Sequence, residues 1–154
     1  MGFLEIRNRL GGGSYGRVYE AYWQQGRKLV AIKIERRMRR SVKHRAADVI
    51  PDFGEITNEY KVMKMFNTTV GFPLVYTGNM EGASRYYVME KLGKSLRDLH
   101  KKAGGSLQKR IIVRVAFQLI GRIETVYERG LLVYDLHSGN VMLDEEGETL
   151  YLVD

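Results

Sequence analysis

The sequence predicts an α+β fold: an antiparallel β-sheet with one helix in residues 1–92, then a mostly helical part in residues 93–154. Three observations predict it. The glycines of Gly11-x-Gly13-x-x-Gly16-x-Val18 lead into a β-rich segment, not into a helix. Residues 18–34 read as two strands around a turn at Gln24-Gln25-Gly26. Ile111, Ile112, Val115, Ala116, Leu119, Ile120, Ile123 and Tyr127 recur at three- and four-residue steps, the period of an amphipathic helix.

The elements follow in order. Val18-Tyr19-Glu20-Ala21-Tyr22-Trp23 is rich in β-branched and aromatic residues, and Leu29-Val30-Ala31-Ile32-Lys33-Ile34 is its return strand. An irregular basic stretch then ends in the loop Pro51-Asp52-Phe53-Gly54. Glu55 to Phe66 forms a helix with Ile56, Tyr60, Met63 and Phe66 at helical spacing. Leu74 to Thr77 and Tyr86 to Met89 are two further strands. Gly93 marks a lobe boundary. Ser95 caps a short helix that stops at Gly104-Gly105. Ser106 opens the long helix, whose arginines 110, 114 and 122 lie opposite the apolar stripe, and Gly130 ends it. The rest is short strands, with a hairpin turn at Glu145-Glu146-Gly147-Glu148.

At 154 residues, with 44% hydrophobic and 28% charged residues, the composition is that of one globular folding unit or part of one. No apolar run approaches the roughly 20 residues a membrane helix needs. The absence of cysteine excludes disulfides and thiolate metal sites. The run between Arg36 and Arg45 carries six Lys/Arg and no acid, so it accounts for six of the seven net positive charges. Such a run suits nucleic acid, acidic lipid or a nuclear import receptor, or is a solvated face. The expected location is intracellular, in cytoplasm or nucleus.

Certain residues carry chemistry. Glycines at 11, 13 and 16 let backbone N–H groups approach phosphate oxygens with no Cβ in the way. Lys33, inside an apolar strand, requires an anion if its ammonium is buried. Glu59 on the following helix supplies one, or Glu55 one turn earlier; the sequence leaves both open. Asp135 and Asn140, five residues apart on a loop, suit phosphoryl transfer: a carboxylate for the acceptor hydroxyl and an amide oxygen for magnesium. Asp154, ending the strand Leu150-Tyr151-Leu152-Val153, is the second expected magnesium ligand.

In this order the residues resemble a protein kinase, and most closely the casein kinase I group. The segment Met89-Glu90-Lys91-Leu92-Gly93-Lys94-Ser95-Leu96-Arg97-Asp98-Leu99 resembles that group's Met-Glu-Leu-Leu-Gly-Pro-Ser-Leu-Glu-Asp-Leu. Gly71-Phe72-Pro73 and Gln118-Leu119-Ile120-Gly121-Arg122-Ile123-Glu124 are similar too. The resemblance implies a protein kinase-like N-lobe and hinge in residues 1–92 and a partial C-lobe in 93–154, using ATP and Mg2+ on a protein substrate. It makes Met89 the gatekeeper and sets the Glu90 carbonyl and the Leu92 N–H against adenine. Val18 and Ala31 cover the base from above and Met142 from below. Lys33, held by Glu59, meets the phosphates; Asp135 is the base; Asn140 and Asp154 hold the metal.

Three departures stand out: Val133 and Tyr134 replace the family's His-Arg before the aspartate, and His137 replaces a lysine. Asp-Leu-His-x-Gly-Asn resembles haspin and the aminoglycoside and choline phosphotransferases, which implies that His137 donates to the transferring phosphate or stabilises the loop. The Phe-Gly, activation loop and substrate-seating helices of the family have no counterpart in these residues, so the long helix is expected to expose apolar surface and the chain to be poorly stable or to need a partner. Two alternatives to the Ser/Thr kinase reading remain: a non-catalytic, pseudokinase-like interaction module, and a small-molecule phosphotransferase.

Overall fold

The computed structural model describes residues 3–13, 16–35, 55–81 and 84–153, with Glu55 in its backbone only. The basic run of residues 36–45, the side chain of Glu55, and Asp154 lie outside the described residues. The chain forms two compact units, Met1–Met65 with Leu74–Lys91, and Phe66–Pro73 with Leu92–Asp154.

The first unit is an antiparallel five-stranded sheet in the order β1-β2-β3-β5-β4. Its strands are β1 (Leu4–Gly12), β2 (Gly16–Trp23), β3 (Lys28–Glu35), β4 (Val75–Asn79) and β5 (Tyr86–Glu90), with helix α1 (Glu55–Met65) between β3 and β4. Side chains alternate between the two faces of a strand, and register decides which residues share one. Tyr19 pairs with Ile32 and Ile32 with Val88. Ala21, Val30, Ile32 and Val88 make one core on that face, with Trp23 and Tyr86 against it. Val18 pairs with Lys33, and Ala31 with Met89, so these four belong to the opposite face. There Ile56 and Met63 of α1 pack with Val75 and Tyr87. The α1 stripe is thus the apolar one expected, except that Phe66 lies past the helix end. It stacks on Phe72, with ring centroids 4.3 Å apart, and belongs to the core of the second unit.

That second unit contains α2 (Leu96–Lys102), α3 (Lys109–Glu128) and the hairpin β6 (Val141–Leu143) and β7 (Leu150–Leu152). Val141 pairs with Leu152 and Leu143 with Leu150, and all four are buried against Val115, Val126, Phe66 and Phe72. Val133 packs on the same core, taking an apolar place as its side chain requires. Ser106 is not the α3 cap. Gln108 takes that position, because its carbonyl is the first acceptor, receiving the N–H groups of Ile111 and Ile112. Gly130 ends α3 as expected, with φ 73° and its N–H on the Tyr127 carbonyl.

The arginines of α3 do not face solvent alone. Arg114 reaches the Glu148 carboxylate (2.5 Å) and the Gly147 carbonyl (2.6 Å), and Arg122 the Leu150 carbonyl (3.3 Å). Between them Gln118 accepts from the Leu150 N–H and donates to the Glu148 carbonyl. Residues four apart share a helix face; here that face closes the hydrogen bonds of the hairpin, which is why it is polar yet packed. The expected apolar exposure is present: Phe117 is 76% and Ile120 65% accessible. Among the described residues no helix is long and apolar enough to cross a membrane.

Candidate active site

The first unit contributes a buried ion pair. Lys33 is 6% exposed, and its Nζ lies 2.7 and 2.6 Å from the two Glu59 carboxylate oxygens. Alternation in β3 points Lys33 to the α1 face, and α1 presents Glu59 one turn before Met63, which anchors that helix in the core. Tyr87, beside Lys33 in the β3–β5 register, donates its hydroxyl to Glu59 Oε1. Lys33 of β3 and Tyr87 of β5 therefore converge on one carboxylate, that of Glu59 on α1. A pair this enclosed is costly to desolvate, so its retention calls for a ligand charge or a specificity role.

The glycine turn stands at the end of β1 and β2. Gly13 donates to the Gly16 carbonyl at 3.0 Å, closing the tip. A Cβ on Gly11 or Gly13 would meet nothing within 4 Å, so both backbones present an open side. On Gly16 a Cβ would stand 3.3 Å from the Lys33 stem and 3.0 Å from the Ile34 carbonyl, so this glycine admits the buried lysine. Of the residues expected against a base, Val18, Ala31 and Met89 share the Lys33 face of the sheet. Glu90 ends β5, tied to Leu74 by its N–H (2.8 Å) and by its carboxylate, which accepts from the Leu74 N–H. Leu92 and Met142 belong to the second unit. Met142 pairs with Tyr151 and so faces away from the core that takes Val141 and Leu143.

In the second unit, residues 131–137 run without regular structure into a turn before β6. The loop is held from both ends. Asn140 donates its side-chain amide to the Asp135 carbonyl (3.2 Å) and its N–H to the His137 carbonyl (2.9 Å), while its own carbonyl accepts from Val153. Asp135 presents a carboxylate with 81% side-chain exposure, 3.7 Å from His137 Nε2. His137 Nδ1 accepts from the Gly139 N–H (3.0 Å) and lies 3.3 Å from Arg97 Nη2. Tyr134, in the place of an arginine, is 93% exposed.

The α2 helix braces this loop. Ser95 caps it, accepting from the Asp98 N–H at 3.1 Å and donating to the Asp98 carboxylate at 2.6 Å. Ser95 also bridges to Met142, and the Arg97 N–H donates to the Ser138 carbonyl at 2.9 Å. Gly93 must be glycine, since a Cβ there would stand 2.3 Å from the Asp144 carbonyl. The neighbouring Lys102 holds the Lys94 amine below the ordinary lysine range.

Sequence reasoning missed Tyr87 and Arg97. Tyr87 was legible in principle, two residues before Met89 and hence on its face. The signal for Arg97 was the arginine standing where the similar motif has glutamate. As for a metal, the described residues contain no group of three His, Cys, Asp or Glu able to hold one. The proposed ligand set relies on Asn140 and on Asp154, which lies outside them.

Comparison with known proteins identifies the family. The family described as Protein kinase domain matches residues 4–154. Among curated proteins, the chain is 27% identical to Casein kinase I homolog 1 of Schizosaccharomyces pombe over 97% of its own length and 32% of that protein's. It is 29% identical to Casein kinase I homolog 1 of Saccharomyces cerevisiae over 97% of itself and 26% of that protein. It therefore spans a third or less of the length of these relatives.

Proposed function

Because the chain belongs to the protein kinase domain family, we propose that it forms the ATP-binding and catalytic-loop part of a Ser/Thr protein kinase that moves the γ-phosphate of ATP to a protein hydroxyl. The α+β architecture is that of this family, and the likeness to casein kinase I proteins extends along 97% of the chain. The observation that carries the reading is the Lys33–Glu59 pair. A buried lysine held bidentately keeps its ammonium at a fixed point on the sheet, and such a cation is suited to a phosphate oxygen.

In this reading the backbone N–H groups at Gly11, Gly13 and Gly16 cover the phosphates. In the sheet unit Val18, Ala31 and Met89 are assigned to the base and the Glu90 carbonyl to its edge; in the second unit Met142 is assigned to the base and the Leu92 N–H to its edge. Asp135 orients the acceptor hydroxyl and takes its proton, for which an exposed carboxylate on a braced loop is suited. Asn140 spends its amide N–H on Asp135, which leaves its side-chain oxygen for a cation. Magnesium, when bound by Asn140 and Asp154, supplies charge neutralisation of the phosphates.

The test is binding followed by transfer. MgATP should raise the melting temperature by several degrees, and Lys33→Met should remove that rise. Asp135→Asn should retain the rise and lose phosphate transfer to a Ser/Thr peptide library. No rise in the parent protein overturns the nucleotide site. A rise without transfer selects the second reading, a non-catalytic interaction module, which the exposed Phe117 and Ile120 on α3 favour.

A further inference from the structure

We propose that Arg97 is a positioning residue that clamps His137 and thereby sets the catalytic loop, aiming the His137 Nε2–H at the Asp135 carboxylate. Its catalytic consequence rests on the phosphotransferase reading; the clamp itself does not.

The argument begins with the imidazole. Nδ1 faces two donors, the Gly139 N–H at 3.0 Å and the Arg97 guanidinium at 3.3 Å. An arginine has no acceptor and is always protonated, so the nitrogen it faces must offer a lone pair. The neutral ring therefore carries its proton on Nε2, the nitrogen 3.7 Å from Asp135 Oδ2. Arg97 and the Gly139 N–H thus select the tautomer together, Arg97 adding the side-chain donor that fixes the ring plane, and His137 in turn places a donor beside the proposed base.

Main-chain geometry supports the same role. The Arg97 N–H donates to the Ser138 carbonyl at 2.9 Å, so one residue holds the loop at positions 137 and 138 by two separate bonds. Its own position is set by the Ser95–Asp98 cap and by the bridge from Ser95 to Met142. Gly139 completes the fit. A Cβ there would lie 2.9 Å from the Arg97 guanidinium carbon and 3.0 Å from His137 Cε1, so the guanidinium occupies the space a side chain would need. Arginine at 97 and histidine at 137 both depart from the casein kinase I pattern, and the contact couples the two departures.

Two variants and two readouts test this in the whole chain. Arg97→Ala removes the side-chain donor and keeps the main-chain bond. Gly139→Ala keeps every charged group and displaces the guanidinium. Long-range proton–nitrogen spectra of the imidazoles, with His137 assigned by His137→Gln, should show a protonated Nε2 and a hydrogen-bonded Nδ1 in the parent. The Nδ1 resonance should move toward that of an unbonded ring nitrogen in both variants. Where the parent transfers phosphate, both variants should lower kcat about 10- to 100-fold, the scale of a small misplacement at a reacting centre, with KM for ATP unchanged. A parent His137 protonated on Nδ1, an Nδ1 resonance indifferent to Arg97→Ala, or a parent-like kcat in that variant overturns the proposal. A parent that transfers no phosphate sinks the enzyme reading alone, since the ring spectra still judge the clamp.

Discussion

Lys33 and Glu59, from β3 and α1, meet with both carboxylate oxygens within 2.7 Å of the ammonium, and their side chains are only 7% and 15% exposed. Truncating one partner leaves the other charge buried, which costs about 3–5 kcal/mol. Glu59→Ala is therefore expected to destabilise the protein by that amount in urea denaturation, and Lys33→Met similarly. The double variant Lys33→Met with Glu59→Met should recover most of the loss, because two apolar side chains of similar volume leave no charge behind. Additive losses in the double variant would show that the two side chains are not coupled.

Tyr87 is 1% exposed and donates to Glu59 Oε1, so its hydroxyl helps to hold the carboxylate against Lys33. Hydrogen bonds to charged groups contribute about 1.5–3 kcal/mol. Tyr87→Phe should cost that much in the parent and distinctly less in a Glu59→Met background, where the acceptor is gone. Equal costs in the two backgrounds would assign the effect to packing of the ring against Tyr60 instead.

Asp144 gives a pH dependence of known sign. Burial pushes its carboxyl up, but the Thr149 side chain and the N–H groups of Glu148, Thr149 and Gly147 outweigh this and hold it below the ordinary carboxylate value. A depressed carboxylate favours the folded state when ionised. Its contribution is complete above the unfolded value near pH 4 and disappears as pH falls through the lower folded value. Solvent screening keeps it at about 1 kcal/mol or less. Asp144→Asn should melt below the parent at pH 6, and the gap should close toward pH 2. A gap that widens on acidification would contradict the sign.

What the sequence disclosed and what it withheld follow from the range of the interactions. β2, β3, α1 and α2 were legible because each states itself locally, in alternation, in helical spacing, or in the Ser95 cap. The Glu59-or-Glu55 alternative was not decidable from spacing, since residues four apart share a helix face; the structure sets Glu59 on Lys33. Phe66 extends the α1 period and yet leaves its core, because periodicity cannot say where a helix stops. Arg114 and Arg122 read only as lying opposite the apolar stripe because the Gly147 and Leu150 carbonyls they reach in the β6–β7 hairpin are main-chain groups with no signature in side-chain type. The Arg97–His137 contact joins positions 40 apart, beyond any local pattern.

Two glycines of the second unit have opposite reasons for being there. At Gly93 a Cβ would stand 2.3 Å from the Asp144 carbonyl and 3.0 Å from that of Leu143, and both main-chain oxygens are already engaged, Leu143 with the Gly93 N–H and Asp144 with the Gly147 N–H. Neither can turn aside as a flexible side chain can. Gly93→Ala should therefore cost at least the 1–3 kcal/mol of an overpacked core, and it should loosen α2 from β6. Gly121 lies inside α3, and a Cβ there would meet nothing within 4 Å. Glycine in a helix interior loses about 1 kcal/mol relative to alanine, so Gly121→Ala should stabilise the protein by roughly that amount. Urea denaturation of the two variants should therefore displace the midpoint in opposite directions; a shift of the same sign in both would mean that backbone space at these positions does not govern stability.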